Sequence, residues 1–482
     1  MGDLYHKLKE YAKSDFYPYH MPGHKRRLLG ETLGKGNFPD GVAELDITEI
    51  DGFDNLHDAQ GILKQIQGKA ASLYGADESF YLINGSTAGI LSAISATVPE
   101  GGKLLMARGS HKAVYHAVYL RKLTPRYLYE ETEEAFTCSL PITVTQVKQA
   151  LEENPDVSAV LIVSPTYEGL TADVRAIAEE VHKKGIPLIV DSAHGAHLGF
   201  HPAWPENCAR QGADLVIESL HKTLPAPTQT AVLHVNGSLV DRNKLKRFLQ
   251  IYQSSSPSYL LMSAMEEALD IVAEKKDELF GAFLDNWNRM LHELSRCKNI
   301  QVLQKPGSDI GKLVVMDGSG NMSGRELYKI LLEKYHLQLE MSTEKYVLAM
   351  FTIADSIEAY ERMTSALLEI DGSCEKEERQ QKKFAEYDEI RKQNLQKIYP
   401  RAVMNLAESW QKDTEEVLLS RAKGKISGEF INLYPPGIPI VVPGEELTEE
   451  ICVYLQKLMD SGLDVQGLQK KDGRIVVKTV KE

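Results

Sequence analysis

The sequence predicts an α/β protein built on a mainly parallel sheet, and three observations carry that expectation. Short apolar strand candidates alternate with helical stretches from about residue 62 to residue 240. Two of those strands run into reactive side chains: Leu188-Ile-Val-Asp191 is followed by Ser192-Ala-His194, and Asp214-Leu-Val-Ile-Glu218 by Ser219-Leu-His-Lys222. The chain has 482 residues, 43% hydrophobic and 26% charged, which is material for a large core and, at roughly 150 residues each, about three domains.

Residues 1–55 read as an irregular N-terminal arm, with turn signals at Met21-Pro-Gly-His-Lys25 and Phe38-Pro-Asp-Gly41. Apolar residues recur at helical spacing from Ile62 to Tyr74, and Gly75 fits the C-terminal cap. Strands are expected at Ser79–Ile83, Lys103–Met106, Ala159–Val163, Pro187–Val190, Leu215–Glu218 and Ala231–Val235. Helices are expected at Thr87–Thr97, His111–Leu120, Val144–Glu152, Val174–Lys184 and, shorter, near Asn207–Gln211. These make a large domain over 56–257. A long helical stretch, Tyr259 to about Ser295, opens a small α+β domain over 258–372. The segment 373–482 reads as a C-terminal α+β domain. It begins with the charged run Glu375–Lys383, a solvated linker or helix face, and holds Tyr434-Pro-Pro-Gly-Ile-Pro439 and Pro443-Gly-Glu445.

A net charge of -13 argues against a nucleic-acid partner, which asks for a basic face. No apolar run approaches the ~18 residues a membrane span needs, and the polar start Met1-Gly-Asp-Leu-Tyr-His-Lys7 lacks a signal core. The five cysteines are scattered and odd in number. They read as reduced thiols of a cytoplasmic protein, with neither a disulfide framework nor a metal site.

An acid and a lysine at the C-terminal edge of a parallel sheet point to pyridoxal 5′-phosphate (PLP). The cofactor needs an amine for its Schiff base and a carboxylate to keep its ring nitrogen protonated. Lys222 is the candidate amine, because desolvation keeps a lysine neutral and reactive. Asp191 is the candidate carboxylate, a strand-end cap being the plainer alternative. Asn84-Gly-Ser-Thr87 joins a strand to a helix, so Gly85, Ser86 and Thr87 form a candidate anion site for the phosphate. Ser and Thr also cap helices that bind nothing. Ser219 and His221 supply further donors. His111, at the head of the next helix, suits stacking on a ring or a plain helix start. His194 suits a hydrogen bond near the ring or a structural role.

These residues lie in segments that resemble the Orn/Lys/Arg decarboxylase family of fold-type-I, aspartate-aminotransferase-like PLP enzymes, in its short bacterial form without an N-terminal wing domain. The segments are His20-Met-Pro-Gly-His-Lys25, Leu45-Asp-Ile-Thr-Glu-Ile50, Asp54-Asn-Leu-His57, Gly85-Ser-Thr87, Ser110-His-Lys112, Ser164-Pro-Thr-Tyr167, Val190-Asp-Ser-Ala-His-Gly195, Ser219-Leu-His-Lys222, Ser254-Ser-Ser-Pro-Ser-Tyr259 and Tyr434-Pro-Pro-Gly-Ile-Pro439. Ser192 departs from the family, whose members often carry Glu there, and so does Leu220, usually small or polar.

The resemblance implies a seven-stranded sheet and decarboxylation of arginine, lysine or ornithine to agmatine, cadaverine or putrescine. It gives Lys222 the Schiff base, Asp191 the ring nitrogen and His111 the ring face. Ser86, Thr87, Ser219 and His221 go to the phosphate and its surroundings, and either His221 or Lys222 returns a proton to Cα. It also implies a homodimer serving polyamine synthesis, with its sites at the subunit interface and Ser255 reaching the partner's cofactor. Glu445 and Glu446 are candidates for the substrate's cationic end, or else a solvent-exposed pair. An aminotransferase, a β-eliminating lyase and a non-catalytic PLP-binding protein are the competing readings, since fold alone does not choose among them.

Overall fold

The structure is a computed structural model that describes residues 2–14, 21–22, 24–25, 41–374, 399–433, 437–460 and 462–481. Seven strands form its main sheet: β1 (Glu78–Leu82), β2 (Lys103–Ala107), β3 (Thr124–Leu128), β4 (Ala159–Val163), β5 (Leu188–Asp191), β6 (Leu215–Ser219) and β7 (Ala231–Val235). Their order is β1-β7-β6-β5-β4-β2-β3, and β7 runs antiparallel to both its neighbours. The chain divides into two compact units, residues 1–97 with 173–281 and residues 98–172 with 282–482.

In the first unit β5 pairs parallel with β6, and both are buried along their whole length. Strands covered on both faces read as continuous apolar runs, which is why Leu188–Val190 and Leu215–Ile217 were legible. The helix Ile62–Tyr74 ends at Gly75, whose φ of +72° closes it with a left-handed cap. The helix Gly85–Thr97 packs tightly enough that a Cβ on Gly89 would meet Leu82 Cδ1 at 2.6 Å and Ile217 Cγ2 at 3.0 Å. The start of the chain is more regular than expected. Asp3–Ala12 is a helix with Leu4 and Leu8 buried on one face, and its first amides, Asp3 N and Leu4 N, donate to the Glu266 carboxylate at 2.9 Å each. The short helix expected near Asn207–Gln211 is instead a run of turns, in which Asn207 Oδ1 accepts from Ala209 N.

In the second unit β2 pairs parallel with β3 and β4. The sequence reading missed β3, Thr-Pro-Arg-Tyr-Leu, because Pro125 and the lack of alternation hide it. As an edge strand it tolerates the proline. A second sheet, ordered β10-β11-β9-β8, joins β8 (Ile300–Val302), β9 (Lys312–Asp317), β10 (Met341–Ser342) and β11 (Tyr346–Met350). The helices Gly324–Tyr335 and Ile357–Cys374 complete that α+β region, the first opened by a capping box between Ser323 and Glu326. Near the C-terminus two three-stranded sheets and the helix Glu449–Asp460 share a core that includes Leu419, Ile431, Val441, Ile451 and Leu455. The charged run Glu375–Lys383, His20, and Tyr434 to Pro436 lie outside the described residues. Among the described residues no helix is long and apolar enough to cross a membrane.

Candidate cofactor and active site

The ends of β5 and β6 build the site in the first unit. Register sets Asp191 opposite Ile217, and the chain leaves β6 through Ser219 straight into the one-turn helix Leu220–Thr223. Asp191 and Lys222 therefore emerge at the same edge of adjacent parallel strands, where open α/β sheets take ligands. Asp191 is only 4% exposed. Burial pushes its carboxyl above the usual range, while the Lys222 charge and the Ala193 N–H, 3.2 Å away, pull it back. A carboxylate so placed is stabilised by any cation that reaches it.

Lys222 Nζ lies 3.1 Å from Nε2 of His194, a buried residue of the turn after β5. His221 Nδ1 lies 2.8 Å from the Thr230 carbonyl. A carbonyl only accepts, so Nδ1 carries a proton. Burial lowers the His221 pKa; the Thr230 contact opposes that, and the Lys222 charge adds to it. Nothing in the sequence marked Thr230 for this part.

Ser86 Oγ and Ser219 Oγ are 2.5 Å apart, so the turn after β1 and the end of β6 meet through two hydroxyls. Gly85 takes φ +70°, the left-handed conformation that glycine adopts at no steric cost, and opens the helix Gly85–Thr97. The amides of a helix's first turn lack partners within the helix, so Ser86 and Thr87 sit where an anion binds. Ser254 N donates to Asn84 Oδ1 at 3.3 Å, and its carbonyl accepts from His57 Nε2 at 2.7 Å. This brings the serine turn beside the glycine turn, while Ser255 itself is exposed. The set fits PLP: Lys222 could hold an aldehyde, Asp191 a ring nitrogen, and Ser86, Thr87 and Ser219 a phosphate.

In the second unit His111 is the N-cap of the helix Lys112–Leu120, its Nδ1 accepting from Ala113 N at 3.2 Å. Three residues earlier Arg108 is 1% exposed and paired with Glu445. That pair overturns both expectations for Glu445. It is neither solvent-exposed nor open to a substrate cation, because Arg108 Nη2 spans its two oxygens at 2.9 and 3.2 Å and Val442 N donates at 2.7 Å. Burial raises the Glu445 carboxyl, and the Arg108 charge opposes the rise. Glu446 is half-buried. Arg108 leaves one signal in the sequence, a cation directly after the apolar strand Leu104–Ala107.

A family model described as the Orn/Lys/Arg decarboxylase major domain matches residues 2–315, and one described as the Orn/Lys/Arg decarboxylase C-terminal domain matches residues 386–481. The chain is 31% identical over 474 residues to an arginine decarboxylase of Bacillus subtilis, covering 96% of this chain and 95% of that one. It is 24% identical over 588 residues to an inducible lysine decarboxylase of Escherichia coli, covering 98% of this chain and 81% of that one. Among solved structures, the Francisella novicida lysine decarboxylase LdcF shares the fold with a TM-score of 0.84 at 19% identity, over 100% of this chain and 81% of that one.

Proposed function

The chain belongs to the Orn/Lys/Arg decarboxylase family, and we propose that it releases CO2 from a basic L-amino acid (arginine, lysine or ornithine) to leave agmatine, cadaverine or putrescine. Orn/Lys/Arg decarboxylases are PLP enzymes. The observation that carries the reading is the pairing of a buried acid and a lysine, Asp191 and Lys222, on adjacent strand ends with His194 on the lysine.

When bound, the cofactor supplies a protonated ring that accepts the electron pair left as the substrate's carboxylate departs. Asp191 would keep that ring nitrogen protonated, and the contact would offset its own burial. Ser86, Thr87 and Ser219 would take the phosphate, with Gly85 giving the turn its backbone shape. Lys222 Nζ would hold the cofactor's aldehyde carbon, and its hydrogen bond to His194 Nε2 sets the direction of the amine. His111 keeps the ring-stacking part that the family resemblance gives it. Lys222 or His221 delivers the proton that completes the amine at Cα, His221 being oriented for it by the Thr230 carbonyl on its Nδ1. The reading takes the molecule as a cytoplasmic homodimer in polyamine supply, with the exposed Ser255 turn serving the partner's site.

The test is to supply arginine, lysine and ornithine separately to PLP-loaded protein while measuring CO2 and product. The matching amine with equal CO2 is expected from at least one of them. A keto acid without CO2 would move the chain to aminotransferase chemistry. A visible cofactor band that no amino acid alters would leave binding without turnover.

A further inference from the structure

Arg108 spends a fully buried charge on groups far away in the chain. Its Nη2 reaches both oxygens of Glu445 and the Ile440 carbonyl at 3.2 Å; its Nη1 donates to the Pro439 carbonyl at 2.8 Å and to Tyr115 Oη at 3.1 Å. The same Tyr115 hydroxyl donates to the Arg108 carbonyl at 2.5 Å. Arg108 N donates to Leu128 O at 2.8 Å, and Gly109 N donates to Glu130 Oε1 at 2.8 Å. The backbone leading into His111 is therefore held on several sides, and the guanidinium ties it to Pro439, Ile440 and Glu445. Arg108 lies within the match to the major domain and Glu445 within the match to the C-terminal domain.

We propose that Arg108 is a positioning residue: it couples residues 437–446 to the turn 108–111 and so sets His111 at the head of the helix Lys112–Leu120. A planar guanidinium meets a carboxylate, two carbonyls and a hydroxyl from one fixed fork, more partners than the three donors of a lysine can serve. Burial makes the arrangement all-or-none, because neither charge tolerates loss of the other. The proposal rests on the reading above in one respect, that His111 touches the cofactor.

The test is a double-variant cycle in PLP-loaded, full-length protein. Arg108→Lys is expected to lower kcat about tenfold with KM held within about twofold. Added to His111→Ala, it should cost nothing beyond the loss from His111→Ala alone. An unchanged kcat for Arg108→Lys, or losses that simply multiply, overturns the proposal. Where Arg108→Lys does not fold, Tyr115→Phe removes one hydroxyl and keeps the ring, and the same cycle is expected with a loss of about threefold.

A second readout does not depend on activity. In Glu445→Gln, amide exchange should quicken together in peptides covering 437–446 and 108–118. Faster exchange confined to 437–446 overturns the coupling. Wild-type protein that releases no CO2 would defeat the decarboxylase reading, and the exchange result would still decide the clamp.

Discussion

Asp191 in the first unit and Glu445 in the second are both carboxylates almost wholly withdrawn from water, and the protein treats them in opposite ways. Glu445 meets Arg108 through both oxygens, with Val442 N on one of them, and the arginine is itself held by backbone carbonyls. Asp191 takes the Ala193 amide and feels the field of Lys222, an amine that the proposed chemistry engages in every turnover. The first arrangement closes on itself, since every charge is answered by a rigid group of the chain. The second lies beside a lysine that carries the site's chemistry and is itself hydrogen-bonded to His194. Buried charge thus reads as architecture where its partner is inert and as a binding site where its partner is reactive.

The hardest blow to this contrast is Lys222→Ala. It should abolish CO2 release by about 10³-fold or more and prevent borohydride from fixing the cofactor to the chain. Retained fixation at another lysine would break the assignment.

Asp191→Asn sharpens the contrast, because its effects should run in opposite directions. Turnover should fall about 10²-fold with loss of the ring-nitrogen contact. The cofactor-free protein should become more stable at neutral pH. A carboxyl raised by burial contributes stability that is fully present below its unfolded value and is lost as pH rises through its folded one. Denaturation of wild type and variant without PLP, at pH 5 and pH 8, measures it; a variant less stable at pH 8 would count against the burial argument.

Glu445→Gln should show no such benefit. Removing one partner of a buried pair strands the other charge, at a cost of about 3–5 kcal/mol. A urea midpoint unchanged from wild type would mean the pair is not closed after all.

The smallest effect expected is at His221. Its depressed pKa gives stability that is present above the ordinary imidazole value of about 6.5 and is lost as pH falls through the folded value. Stability should therefore decline below about pH 6.5, by less in His221→Gln than in wild type. Equal declines would remove His221 as the titrating group.

Much of this was legible along the chain, for local reasons. The cap at Gly75, the apolar runs of β4, β5, β6 and β7, and the turn at Gly85 depend on neighbouring residues, so spacing alone exposes them. The misses are equally physical. Pro125 disguised β3 because an edge strand needs fewer ladder bonds, and turns at 207–212 imitated a short helix. The helix Asp3–Ala12 leans on Glu266, over 260 residues away, which no window could reveal.

By itself the sequence determined which residues could carry chemistry: an acid and a lysine closing two apolar strands, and small hydroxyl residues opening a helix. Only the tertiary structure decided which charges are already spent. Arg108 and Glu445 stand 337 residues apart, and their pairing comes from chain closure and desolvation, which act through space and leave no periodic trace in the order of residues.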